Sequence, residues 1–299
     1  MKITGIIAIK NEVETYKQSL KSLATVVDEC IVADIGMSSE MLAHVRTFKN
    51  VKVVTQTKPV PYIELIRQSL INEAQHEWIL LLDPDEIISK DLIQYVKKHA
   101  GEGDYVRIPR KNIILGKWMQ HSRWWPDYQI RFFKKSSTKW STRIHSQPEL
   151  TGAEQVVPAE ENLAIEHHNY LTYDSYLEKS HRYARAEAEG YILRKEEFTL
   201  MHGLRKGMSE FVSRFFADDG YRDGSHGFVM AFSQFFYYFQ VAVYYWEIKG
   251  YPDVSEKEIS LMPSQFFSHA LSEVSHWASV KKIVTDPISM IKSALLKRL

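Results

Sequence analysis

Four short apolar runs near the start of the chain constrain its fold more than any other feature. They are Ile3 to Ile9, Glu29 to Asp34, Val51 to Thr55 and Trp78 to Leu82, with segments of helical length between them. A strand with one wet face alternates apolar and polar residues, so an unbroken apolar run reads as a strand covered on both faces. Residues 63 to 74 place Ile63, Ile66, Leu70, Ile71 and Ala74 at helical spacing, and Ser38-Ser39 offers a helix cap after the second run. Strands alternating with helices build βαβ units. The expected fold is α/β, a Rossmann-like, mainly parallel sheet flanked by helices, with a helical C-terminal extension.

Charge then narrows the function. Lys and Arg number 38 against 37 Asp and Glu, a formal net charge of +1, whereas a chain that grips nucleic acid along its length carries a basic excess. Nucleic acid is therefore not the expected partner. The single cysteine, Cys30, excludes an internal disulfide framework and cysteine-built zinc sites, and fits a reducing compartment. The apolar run at the N-terminus is too short for a signal peptide and reads as a first strand, so a cytoplasmic protein is expected.

Beyond Asp104 the texture changes. Short β-like runs, Tyr105 to Ile108 and Tyr128 to Phe133, sit among Trp118, Trp124, Trp125, Trp140 and several histidines, the expected acceptor side of a site. Thr172 is placed to cap a helix running to about Phe198. The organisation expected is a catalytic domain over 1–170 and a helical region over 171–299. Within the latter, Gly224 to Trp246 contains no Asp, Glu, Lys or Arg and is dense in Phe, Tyr and Val. It reads as a buried helix, a homodimer contact or a helix lying at a membrane surface. From Asp286-Pro287 an amphipathic helix is expected, with Ile288, Ile291, Leu295 and Leu299 in one stripe beside Lys292, Lys297 and Arg298. It would pack on the core or meet the inner face of the cytoplasmic membrane as a peripheral contact.

The chemistry concentrates where the fourth run ends, at Asp83-Pro84-Asp85-Glu86. Ligands of open α/β sheets bind at the carboxyl ends of strands. Three carboxylates within four residues repel one another, which a divalent cation among them would relieve; Mg²⁺ or Mn²⁺ takes oxygen ligands and leaves places for phosphate oxygens. The plainer reading is an acidic turn with Asp85 or Ser89 capping the next helix. Asp34 ends a second strand in the same way, so two strands deliver acids to one sheet edge, where an acid accepts from ribose hydroxyls or a base N–H. No G-x-G-x-x-G or G-x-x-x-x-G-K-[ST] accompanies them.

Several ordered motifs together resemble the family 2 glycosyltransferases of the GT-A fold. They are Ile9-Lys10-Asn11-Glu12, Val27 to Gly36, Arg67 on a helix, Trp78 to Glu86, Pro126 to Phe133, Ile144-His145-Ser146 and Ile165 to Tyr170. The resemblance covers roughly residues 3 to 185, and is greatest to the branch containing the lipopolysaccharide core β-1,4-glucosyltransferases. It implies transfer, with inversion, of a sugar from a nucleoside-diphosphate sugar, UDP-linked for preference, to a glycan or lipid-linked acceptor. Asp85 and His145 would hold Mn²⁺ or Mg²⁺. Ile9, Asn11, Glu12, Asp34, Arg67, Asp83 and Arg131 would bind the donor, and Asp127 would be the base, which a carboxylate can be if partial burial raises its pKa. Arg131 would meet a phosphate or Asp127. Trp124 and Trp125 would stack on the acceptor, and of the adjacent His167 and His168 only one can face the site. Two departures stand out: Ile35 and Met37 replace small polar residues, and Ser146 replaces a Glu.

Two other readings compete. A sugar-phosphate nucleotidyltransferase needs a Gly-rich loop after the first strand, which Lys10-Asn11-Glu12 lacks. A catalytically degenerate membrane-surface scaffold of the same fold would not need Asp34, Asp83, Asp85 and Asp127 all in place.

Overall fold

The computed structural model describes residues 1–10, 15–60, 62–99, 101–142 and 147–282. Two compact units emerge: Met1–Ile113 with Trp125–Asn169, and Ile114–Trp124 with the chain from Tyr170 onward. This differs from a simple division at 170. The segment 114–124 joins the second unit because His121 and Ser122 bond to Asp223 and Arg214 there.

In the first unit, β1 (Ile3–Ile9), β2 (Glu29–Asp34), β3 (Val51–Thr55) and β4 (Trp78–Leu82) coincide with the four apolar runs. They lie parallel in the order β3-β2-β1-β4. The shorter strands are β5 (Glu86–Ile87), β6 (Tyr105–Ile108), β7 (Arg110–Ile114), β8 (Lys117–Trp118, in the second unit), β9 (Gln129–Lys134), β10 (Thr138–Lys139), β11 (Glu149–Leu150), β12 (Glu154–Val156) and β13 (Ile165–Tyr170). β9 runs antiparallel between β4 and β6, and β12 completes a seven-stranded sheet beside β6.

Helices α1 (Tyr16–Val26), α2 (Ser39–Val45), α3 (Glu64–Glu73) and α4 (Lys90–His99) cover this sheet. Ser38 caps α2 by accepting from the Met41 N–H at 3.2 Å. Ile3, Ile7 and Ile9 pack with Leu20 and Leu23 of α1 and Leu92 of α4. Ile6, Ile31 and Leu81 pack with Leu70 and Ile71 of α3 in a separate cluster. Both faces are dry, as the unbroken runs require, and each fully buried isoleucine contributes roughly 1.5–3 kcal/mol. Cys30 belongs to this core; burial, reinforced by Glu29, pushes its thiol up to about 12, so it is unreactive. Because β1 lies between β2 and β4, the strand order reverses there, and the carboxyl ends of β2 and β4 bring Asp34 and Asp83 to a crevice edge.

The second unit is helical, with α5 (Tyr173–Leu193), α6 (Leu200–Val212), α7 (Ser225–Ile248) and α8 (Glu256–Val280). Thr172 caps α5, as expected, in a reciprocal box with Ser175. The helix stops at Leu193, short of Phe198, because Lys195 turns left-handed at φ 58°. The Lys195 and Glu196 N–H groups then close onto Ile192 and Tyr191 carbonyls at 3.0 and 2.9 Å. That ending is normally marked by glycine, and a lysine here conceals it.

The uncharged aromatic run forms α7, whose Met230, Ala231, Ser233, Val241 and Ala242 are buried while Phe228, Phe236 and Phe239 are exposed. No helix among the described residues is long and apolar enough to cross a membrane. Gly203 and Gly207 of α6 let α7 approach closely: a Cβ on either would lie 2.7 Å from a carbonyl oxygen, of Tyr238 and Phe235 respectively. Gly207→Ala is therefore expected to destabilise the helical unit by about 1–3 kcal/mol despite alanine's better helix propensity. Thermal unfolding checks this, and an unchanged melting temperature would show that the helices slide apart freely. The tail over 283–299, with the amphipathic helix expected from Asp286, lies outside the described residues.

Candidate active site

The acidic motif folds into a turn whose shape follows from its residues. Pro84 sits where a β-turn prefers proline, and the Glu86 N–H closes onto the Asp83 carbonyl at 3.0 Å. The Glu86 carboxylate reaches back to the Asp83 N–H at 3.0 Å. From α1 and the residue before it, the Ser19 and Thr15 hydroxyls donate to the Pro84 carbonyl at 2.8 and 3.0 Å. From β13, the His168 N–H donates to the Asp85 carbonyl at 2.8 Å. Ser89, not Asp85, caps α4, accepting from the Leu92 N–H at 3.0 Å.

Arginines, rather than a cation alone, relieve the mutual repulsion of these acids. The β4–β9 register sets Phe132 opposite Leu80, so Arg131 falls near the carboxyl end of β4. Its guanidinium pairs with Asp83 and with Glu86, the latter at 2.7 Å. Arg110, from β7, donates to Glu86 at 3.2 Å and through Nε to Asp127 at 2.9 Å. Glu86 is fully buried. Burial alone would raise its carboxyl, but Arg131 and Arg110 outweigh that and hold it below the ordinary range. Arg131 thus meets Asp83 and Glu86; the partner of Asp127 is Arg110.

Partial burial does not leave the Asp127 pKa raised. Burial pushes it up, but the Arg110 charge and hydrogen bonds from Arg110, Asn112 and Gln129 overcome that, and the carboxyl lies below its ordinary range. Asn112 Nδ2 donates to Asp127 at 3.1 Å, so its Oδ1 faces His167, whose Nδ1 stands 2.6 Å away. That contact requires the proton on Nδ1. In the neutral ring Nε2 then carries the lone pair, and it stands 3.6 Å from Asp85 Oδ2. Asp127, Asn112, His167 and Asp85 form one chain of contacts.

The remaining expected residues divide. Asp34 is buried at the end of β2, and its Oδ1 accepts from the Gly36 and Met37 N–H groups at 3.0 and 2.9 Å, shaping the loop that follows. Ile35 and Met37 turn their side chains into the two core clusters. Arg67 is buried on α3 with its guanidinium 4.6 Å from the Trp140 ring centre. Burial draws its pKa down, against the pull of Asp83. The buried Nε atoms of Arg67 and Arg131 and the Nε1 of Trp140 have no hydrogen-bond partner among the described residues, an unusual concentration of unused donors.

Ile9 lies wholly in the core. Trp125 is half-buried in the first unit, whereas Trp124 packs with Ile114, Met119, Tyr176 and Met230 in the second. Asn11, Glu12 and His145 lie outside the described residues. Sequence reading left Arg110 and Asn112 off the site, counted Glu86 only as one of the three clustered carboxylates, and did not choose between His167 and His168. Strand pairing decides these, as where β13 sets His167 opposite Glu86. Among the described residues no three His, Cys, Asp or Glu side chains enclose a metal position by themselves. Asp85 with His167 is a two-ligand set of the kind that suits Mg²⁺ or Mn²⁺ when phosphate oxygens supply the rest.

The geometry defines an α/β unit with a charged cluster at the switch point of its sheet. Over residues 4–148, just under half of the chain, the sequence matches the family model described as Glycosyl transferase family 2. An uncharacterized glycosyltransferase of Rickettsia felis is 25% identical over 152 residues, 48% of this chain and 52% of the relative. One of Rickettsia bellii is 26% identical over 152 residues, 48% of this chain and 50% of the relative. The chain thus spans about half the length of the curated relatives it matches. Among solved structures, S. aureus TarS 1-349 in complex with UDP-GlcNAc is similar at a TM-score of 0.44 and 15% identity, covering 92% of this chain and 91% of that one.

Proposed function

We propose that this protein is an inverting glycosyltransferase acting on a UDP-linked or related nucleoside-diphosphate sugar. The acceptor is a glycan or lipid-linked glycan of the lipopolysaccharide or cell-surface polysaccharide type. The observation that carries the donor half is the facing of Asp85 and His167 at 3.6 Å, two electron-pair donors beside buried arginines. The match to the family 2 model and to the glycosyltransferase relatives supports the class of reaction.

Asp85 and His167 are the residues that would hold a divalent cation, with His145 as a further candidate. Bound there, the cation would neutralise charge growing on the departing diphosphate. The unused N–H groups of Arg67 and Arg131 suit oxygens of the same nucleotide. Asp34 and Asp83 lie along the donor edge, and Asp127, held ionised, is the proposed proton acceptor for the attacking hydroxyl. The exposed Phe228, Phe236 and Phe239 of α7 support a contact with the lipid surface that carries a lipid-linked acceptor.

Titration calorimetry with UDP, with and without Mn²⁺, tests the donor half. The expected result is binding that Mn²⁺ strengthens, with Asp85→Asn and His167→Asn each losing that gain by at least about tenfold. Undiminished metal-supported binding in both variants would move the cation elsewhere. Absence of UDP binding in the native protein would refute a UDP-sugar donor.

A further inference from the structure

Beside the candidate cation ligands stands a fully buried amide. β13 lies between β5 and β7, so His167 has Glu86 across from it on one side and Asn112 of β7 on the other. Alternation along β7 turns Arg110 and Asn112 to this face, whereas Lys111 between them pairs with Glu161 and Glu166. Asn112 has no exposure to water, and His167 only 6%. Burying an amide is costly unless its groups are bonded, and a leucine of similar volume would fill the space without that cost. What a leucine could not do is give direction to a hydrogen bond.

The sense of this amide is fixed. Asp127, paired with Arg110 Nε at 2.9 Å, is a carboxylate that only accepts, so the Asn112 nitrogen must face it, at 3.1 Å. Oδ1 is thereby turned to His167. The neutral His167 ring has one proton, for which two acceptors compete. Asn112 Oδ1 lies 2.6 Å from Nδ1, whereas Asp85 Oδ2 lies 3.6 Å from Nε2, beyond hydrogen-bond length. Distance gives the proton to Nδ1. Without the amide, the Asp85 carboxylate is the acceptor that remains, and the proton moves to Nε2. Histidine and acid then bond to each other and cover the two electron pairs that a cation needs.

We propose that Asn112 is a positioning residue of the donor site. By holding the His167 proton on Nδ1, it keeps the Asp85–His167 pair from closing on itself and so keeps the pair open to a divalent cation. Asp127 acts on the same pair through Asn112, because it orients the amide. The cation rests on the glycosyltransferase reading proposed above; the placement of the proton does not.

The test uses the full chain labelled with ¹⁵N-histidine, free of metal and at about pH 8, where an ordinary imidazole is neutral. The His167 ring signals are assigned from His167→Asn. Long-range ¹H–¹⁵N spectra are expected to show the proton on Nδ1 in the native protein and on Nε2 in Asn112→Leu. A native ring protonated at Nε2 overturns the proposal, and needs no variant to do so. Calorimetry with UDP and Mn²⁺ then supplies a double-mutant cycle. Asn112→Leu is expected to weaken metal-supported UDP binding about tenfold or more, but by less than about twofold in the His167→Asn background. An equal loss in both backgrounds would show that Asn112 supports the fold alone, and overturns its action through His167. A native protein with the proton on Nδ1 but no gain in UDP binding from Mn²⁺ refutes the donor reading instead, so the two failures are distinguishable.

Discussion

Replacing Glu86 with leucine is expected to destabilise the α/β unit by about 3–5 kcal/mol, the usual cost of removing one partner from a buried ion pair. Two guanidinium groups, Arg110 and Arg131, share this carboxylate, and its side chain has no exposure to water that could replace it. Urea unfolding measures the loss, and an unchanged midpoint would show that water already reaches the arginines. The same substitution changes acid sensitivity in a defined direction. The folded Glu86 carboxyl lies below its ordinary value of about 4.3, so its stabilisation is complete above that pH and is lost as pH falls through the folded value. Glu86→Leu should therefore show a shallower fall of melting temperature between pH 5 and 3 than the native protein.

Asp127→Asn is expected to lower turnover by about a hundredfold or more. Two roles for Asp127 predict different companions to that loss. A proton acceptor alone leaves nucleotide affinity intact, because removing a base acts on the chemical step. An anchor for Arg110 and Asn112 releases the His167 orientation as well, so metal-supported UDP binding weakens with it. Turnover and UDP affinity measured on the same variant separate these outcomes. Near-native turnover would remove Asp127 from the chemistry.

Much of the sheet was legible because its strands obey local rules. A five- to seven-residue apolar run bounded by polar residues has few structures open to it, and β1 to β4 occupy the expected residues. Ser38 and Thr172 announce their helices by capping. The ion pairing was not legible. Arg131 stands four residues from Asp127 and Arg110 lies outside every motif, and only the strand registers decide that Arg110 takes Asp127 while Arg131 takes Asp83. Repulsion among the acids was visible in sequence; its relief by arginines 24 and 45 residues away was not. The end of α5 was hidden because a lysine occupies a glycine-like conformation. One signal went unread: Gly203 and Gly207 stand four apart on α6, the spacing that lets two helices touch.

The Pro84 carbonyl, held by the Thr15 and Ser19 hydroxyls, bears on the proposed nucleotide binding. A turn tied down on both flanks has already given up its conformational freedom when the chain folds, so little remains to be surrendered on association. Calorimetry should then find donor capture with a small ordering penalty at this turn. Thr15→Val with Ser19→Ala would restore that penalty, making capture entropically worse while leaving every charged group of the site in place.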